Sequence, residues 1–238
     1  MSEPPTVSTD TDLRQDRIVR RHLDLPKYLD LLRSRSLYLR RADGFTDRFE
    51  GALTPWFRAS VDEGHRQGEI EYDAEYFYRR SRVGSFVSCW NLDAKENMAL
   101  WQLYGGVSNS VAVISTIGKL VAAALRWQEN VLFHKVTYIN YFKSPDMIIG
   151  RYTDFLQYKH EAYDYEREVR VIVPRQQDGW EKNPEGIRLP LGDLNDVLQS
   201  LVVAPEASSW FYDLIEDVTR KYKVASPVLR SELTFLPK

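Results

Sequence analysis

The chain has 238 residues, of which 43% are hydrophobic and 28% charged, with a net charge of −2, an ordinary globular composition. The near-neutral balance excludes a global pull toward polyanions, and no apolar run approaches the ~20 residues of a membrane span. A single cysteine, Cys89, excludes an internal disulfide framework, and together these features point to a soluble protein of a reducing, cytoplasmic compartment.

Residues 1–15, polar and rich in Pro, Ser, Thr and Asp, read as a disordered leader ahead of one α+β domain over residues 16–238. Asp24 and Pro26 open a helix with an apolar stripe at Tyr28, Leu29 and Leu32, and Ser36 to Arg40 alternates like a strand. After the turn at Ala42-Asp43-Gly44, Thr54-Pro55 and Tyr72-Asp73 each open a helix. A strand is expected over Val83 to Trp90. Asp93 and Glu96 then form a capping box for a helix through Met98 and Tyr104, stopped by Gly105-Gly106.

Further along, Ser110 to Ser115 is a strand, Leu120 to Leu125 helical, and Val131 to Tyr141 one longer strand. Asp146 to His160 is expected as a helix and Glu168 to Val173 as a strand. The chain closes with a strand at Leu201 to Val203, a helix over Ser208 to Tyr222 and a short strand at Pro227 to Leu229. Short alternating strands between amphipathic helices give an α+β fold with a central, mainly antiparallel sheet flanked by helices.

The segment Tyr165 to Val173 holds the most chemistry. On a strand, Val169, Val171 and Val173 share one face while Glu166, Glu168 and Arg170 share the other, successive residues being roughly 6.6 Å apart. Two carboxylates at that spacing can stabilise a cationic, sugar-like transition state. The plainer alternative is a half-exposed strand with a salt-bridged, solvated outer face.

Other candidates are weaker. Cys89, in an apolar strand with no histidine tied to it, reads as a buried structural thiol. His22, His65, His134 and His160 lack metal-ligand spacing, so no metal is expected from them. Asp43, Asp47 and Glu50 cluster on a loop and leave open a metal-dependent nuclease. Between Arg14 and Arg41 nine basic residues (Arg14, Arg17, Arg20, Arg21, Lys27, Arg33, Arg35, Arg40, Arg41) stand against three acidic ones, and Arg79, Arg80 and Arg82 follow. These leave open a non-catalytic module binding nucleic acid or another polyanion, or simply a solvated face.

Four strings of residues recur together: Arg20, Leu23, Leu31-Leu32, Leu37-Tyr38, Arg41-Ala42-Asp43, Asp47 and Phe49-Glu50-Gly51; Phe86 to Trp90, Glu96, Leu100-Trp101, Tyr104 and Val111 to Thr116; Val136 to Tyr138, Lys159, Tyr163 and Glu166 to Arg170; Val202 to Pro205, Trp210, Tyr222 and Ser231. Over about residues 18 to 233 they resemble the uncharacterised bacterial domain-of-unknown-function family numbered twenty-nine seventy-one. The pattern departs from that family at Arg48, where a proline is expected, and at Arg21, where a tyrosine is.

The motif order is also similar to that of ADP-ribosyltransferases of the Arg–Ser–Glu type. That resemblance implies an NAD-consuming enzyme, a bacterial toxin or phage-defence effector, with NAD as substrate and a protein or nucleic acid as acceptor. It places Glu168 on the oxocarbenium ion and Glu166 on the acceptor. Arg20 would hold the pyrophosphate, with Ser85 or Ser88, Tyr104 and Arg170 as further NAD contacts.

Overall fold

The structure, a computed structural model, describes residues 4–47, 49–92, 95–143 and 147–234. Arg48, the expected cap Asp93 and the expected helix start Asp146 lie outside the described residues. The strands are β1 (Val7–Thr9), β2 (Ile18–Asp24), β3 (Ser36–Arg41), β4 (Ser85–Asn91), β5 (Ser110–Thr116) and β6 (Val131–Lys135). They continue with β7 (Thr137–Ile139), β8 (Tyr158–His160), β9 (Glu168–Pro174), β10 (Gly186–Pro190), β11 (Ser200–Val203) and β12 (Val228–Arg230). The helices are α1 (Leu25–Ser34), α2 (Pro55–Arg66), α3 (Ala74–Val83), α4 (Met98–Leu100), α5 (Ile117–Ala124), α6 (Leu194–Val197) and α7 (Ser209–Lys221). The chain is thus an α+β protein whose strand pairs are mainly antiparallel.

Helix starts follow their caps. The Asp24 carboxylate accepts from Lys27 N at 2.9 Å, Thr54 Oγ1 from Phe57 N at 3.2 Å and Asp73 from Tyr76 N at 2.8 Å. Thr54 is buried, so Thr54→Ala is expected to lower stability by about 1 kcal/mol. Chemical denaturation reads this directly, and an unchanged midpoint would show that the cap contributes nothing.

The chain divides into two compact units, whereas no linker in the sequence signals a division. The first comprises residues 1–10, 38–89 and 129–187. In it β6 lies between β1 and β9, and β4 lies between β9 and β3. β1 runs parallel to β6 with Ser8 opposite Leu132, so the stretch expected to be a disordered leader contributes an edge strand. β6 is antiparallel to β9, with His134 opposite Arg170. One core cluster joins Ala42, Val87, Leu132, Leu156 and Ile172, and another joins Leu53, Val61, Ala74, Tyr141, Met147, Phe155 and Tyr158.

Two expectations fail in this unit. The single strand Val131 to Tyr141 breaks at Val136, whose N–H donates to Glu168 O at 2.9 Å, and β7 then pairs with β8 in a separate two-stranded sheet. The helix expected up to His160 is a 3-10 turn, Tyr152–Gln157, followed by β8. Thr153, Asp154, Phe155 and Leu156 are buried in succession, a pattern that one stripe of an α-helix cannot satisfy.

The second unit comprises residues 11–37, 90–128 and 188–238. β2 is antiparallel to β5, with Arg20 opposite Ile114 and His22 opposite Ala112, and β5 is antiparallel to β11. β12 closes the edge parallel to β11. Trp101, Ala112, Ile114, Val202 and Ala204 pack together, and the Tyr28 hydroxyl of α1 meets Thr219 Oγ1 of α7 at 2.6 Å.

Candidate functional site

The first unit gathers charged side chains at the start of β9. A 3-10 turn over Glu161–Glu166 ends at Arg167, whose left-handed backbone (φ 44°) releases the chain into the strand. Glu166 therefore ends a turn and Glu168 opens a strand, in place of two carboxylates spaced along one strand face. Both nevertheless reach one cation. Lys159 Nζ of β8 donates to Glu166 Oε2 at 2.6 Å and to Glu168 Oε2 at 3.2 Å.

Arg170, expected among the NAD contacts, is instead engaged within the protein. Its Nε donates to Glu168 Oε1 at 2.8 Å and its Nη2 to Glu168 Oε2 at 3.2 Å. The Nη1 and Nη2 groups also clasp both oxygens of Glu50, and Nη1 reaches Leu156 O at 2.7 Å. The solvated-face alternative fails as well, since the side chains of Lys159, Glu166, Glu168, Arg170 and Glu50 are each at most 8% exposed.

Burial alone would raise the Glu168 carboxyl, but the charges of Arg170 and then Lys159 overcome it and hold it at about 2. At Glu50 burial prevails over the pull of Arg170, and the like charge of Glu168 adds to it, so this carboxyl is pushed up. Glu168 N donates to the Tyr138 hydroxyl at 2.8 Å, which ties the backbone at the same point. One carboxylate is thereby kept ionised and held at both its side chain and its backbone.

Both serines lie on β4. Ser85, Val87 and Cys89 share one face of β4 and Ser88 takes the other. It is the Cys89 thiol that hydrogen-bonds Glu168, and the thiol is itself held well above its ordinary range by burial and by that carboxylate. Ser85, fully buried, accepts from Gln176 Nε2 at 3.1 Å, and Ser88 is buried too. In the sequence Lys159 stands only within the resemblance, Cys89 reads as a structural thiol and Glu50 as part of an acidic loop, and none of them is given a contact with Glu168 or Arg170. No local signal marks them, since Glu50 follows Asp47 and Arg48 closely and Lys159 is followed by His160 and Glu161.

Arg20 and Tyr104 belong to the second unit. Arg20 Nη1 stands 3.7 Å from Glu96 Oε2, and that carboxylate also accepts from Trp101 Nε1 at 3.0 Å, Ser231 Oγ at 2.6 Å and Glu232 N at 2.7 Å. Glu96, expected in a capping box, is thus the hub of a buried network, and Asn97 caps α4. Helix α4 is one turn long and passes into a π-turn at Trp101–Gly105, on which Tyr104 is exposed.

His22 packs edge-on against Trp101, ring centroids 4.6 Å apart, and burial together with the charge of Arg20 lowers its pKa to about 4. A histidine depressed in the folded state contributes stability that is present above its ordinary pKa and lost as pH falls from about 6.5 through about 4. The contribution is on the order of 3 kcal/mol. His22→Phe is expected to flatten the melting-temperature profile between pH 7 and 4, and profiles of identical shape would refute this.

The remaining candidates disperse. Arg41 grips Asp43 at 2.7 and 3.0 Å, Asp47 accepts from Phe49 N at 2.9 Å and Glu50 is clasped by Arg170. Asp43, Asp47 and Glu50 do not form a metal-binding group among the described residues. Several amino-terminal cations pair locally: Arg14 with Asp16, Lys27 with Asp24 and Arg33 with Asp30. Among the described residues no helix is long and apolar enough to cross a membrane.

No protein-family model and no curated protein sequence matches the chain. Solved structures of Thermus sp. 2.9 DarT are similar to it. The complex with carba-NAD+ is 9% identical, with a TM-score of 0.42, over 92% of this chain and 97% of that one. The complex with ADP-ribosylated ssDNA is 9% identical, with a TM-score of 0.44, over 92% and 96%. The complex with NAD+ is 8% identical, with a TM-score of 0.39, over 94% and 99%.

Proposed function

We propose that the chain is an NAD-consuming ADP-ribosyltransferase-like enzyme, and that Glu168 stabilises the charge developing on the nicotinamide ribose. The bond from ribose C1′ to the nicotinamide nitrogen breaks, its electron pair leaves with nicotinamide, and an acceptor nucleophile bonds to C1′. Glu166 orients the acceptor and takes its proton. The observation that carries this reading is the Glu168 carboxylate itself, ionised, desolvated and fixed by Arg170, Lys159 and the Cys89 thiol. A fixed charge in a water-poor site stabilises a cationic transition state without the reorganisation that water would need.

Membership of the bacterial family resembled by the sequence, and a role as a toxin or phage-defence effector, belong to the same proposal. The acceptor is a protein or nucleic acid, and single-stranded DNA is one to assay. The test is release of free nicotinamide from NAD by the purified protein and by Glu168→Gln. A second reading draws on the near-complete burial of the same five side chains, which suits an internal ion cluster that organises the first unit. In that case no nicotinamide is released and Glu168→Gln lowers only stability.

A further inference from the structure

We infer that Glu50 is a positioning residue for Glu168, acting through the guanidinium of Arg170, an inference that rests on the proposed NAD chemistry and assigns it one more participant. Arg170 spends one edge of its fork on Glu50, with Nη1 and Nη2 on the two carboxylate oxygens, and turns Nε and Nη2 toward Glu168. Two carboxylates thus sit on two edges of one planar cation, and fixing one edge fixes the other. Leu156 O adds a third hold on Nη1 at 2.7 Å.

Glu50 is itself anchored. Its N–H donates to Asp47 O at 3.2 Å, and it precedes Gly51, whose positive φ of 67° favours glycine. A Cβ at Gly51 would stand 3.2 Å from both Leu156 Cδ2 and Arg82 Cγ. The titratable groups facing Glu50 are Arg170 and Glu168 from β9, Lys159 from β8, Tyr141 and Cys89 of β4.

Burial pushes the Glu50 carboxyl up while Glu168 is held down, so as pH falls Glu50 takes a proton before Glu168 does. Once Glu50 is neutral, Arg170 answers to Glu168 alone and neutralises it more fully. Catalysis then weakens on the acid side although Glu168 remains ionised.

The experiment is the pH dependence of nicotinamide release by the wild type, Glu50→Gln, Glu50→Asp and Glu168→Gln, each checked for folding by its melting temperature. Glu50→Gln is expected to lower kcat about tenfold, the loss of one charge-assisted contact. KM for NAD should hold, and the acid limb of the kcat profile should disappear. Glu50→Asp keeps the charge and is expected to restore the limb and most of kcat. Should the glutamine variant fail to fold, the aspartate variant decides by the position of its limb: an acid limb displaced in pH, because the titrating carboxyl has been moved, supports the inference, and an acid limb at the wild-type pH would overturn it. A Glu50→Gln enzyme with unchanged kcat and acid limb, or with only KM altered, would also overturn it while leaving Glu168 in place. Absence of turnover in the folded wild type would overturn the proposed chemistry and this inference with it.

Discussion

Arg170→Met should destabilise the protein by about 3–5 kcal/mol, a fall in melting temperature on the order of 10 °C. Methionine fills a similar volume, so the cost is electrostatic more than steric. Glu50 and Glu168 would be left facing each other in a buried site with Lys159 as the nearest remaining cation. Both carboxyls would then titrate above their unfolded values. A group raised in this way contributes stability that is present below its unfolded pKa and lost as pH rises through the folded one. The deficit relative to wild type should therefore be larger at pH 8 than at pH 5. Thermal melts at the two values check this, and an equal deficit at both would show that Arg170 acts through packing alone.

Glu168→Gln should lower the rate of nicotinamide release by about 10²–10³, the usual loss when one well-placed electrostatic contact to a transition state is removed. Glutamine keeps the shape and can still accept from Arg170 and Lys159 through its carbonyl oxygen. The remaining cations keep carboxylate partners, Arg170 in Glu50 and Lys159 in Glu166. The variant should consequently fold, with a loss of stability well below that of Arg170→Met. Because Glu168 is 2% exposed, some loss is expected, and turnover has to be compared at temperatures where both proteins remain folded.

Much of the local structure is legible in the sequence because its causes are local. Asp24 with Pro26, Thr54 with Pro55, and Asp73 each signal a helix start by side-chain chemistry within three residues of the orphaned N–H groups. The alternation of Glu168 to Val173 likewise makes β9 readable. The failures are non-local. The break at Val136 comes where the chain leaves β9 and pairs with β8 instead, and the non-helical course of Tyr152 to His160 depends on β7 and on burial of consecutive side chains.

The site divides in the same way. Glu166, Glu168 and Arg170 could be singled out from one segment, but Glu50 reaches Arg170 across 120 residues of sequence. Its acid neighbours Asp43 and Asp47 suggested a metal loop, whereas their partners are Arg41 and the Phe49 N–H. Cys89 looked like core filling and stands against Glu168 because strand alternation turns Ser88 to the opposite face. Glu96 satisfied a capping pattern by spacing, yet Trp101, Ser231 and Glu232 claim its oxygens.

The central claim is that the Glu168 carboxylate serves the cleavage of NAD. Incubation of the purified, folded protein with NAD, with single-stranded DNA as one acceptor, and chromatographic quantification of free nicotinamide over time test it most directly. Nicotinamide that accumulates in proportion to enzyme, and that Glu168→Gln reduces by about 10²–10³, is the expected result. NAD left intact by the folded wild type with every acceptor supplied, or released equally well by both proteins, would contradict it.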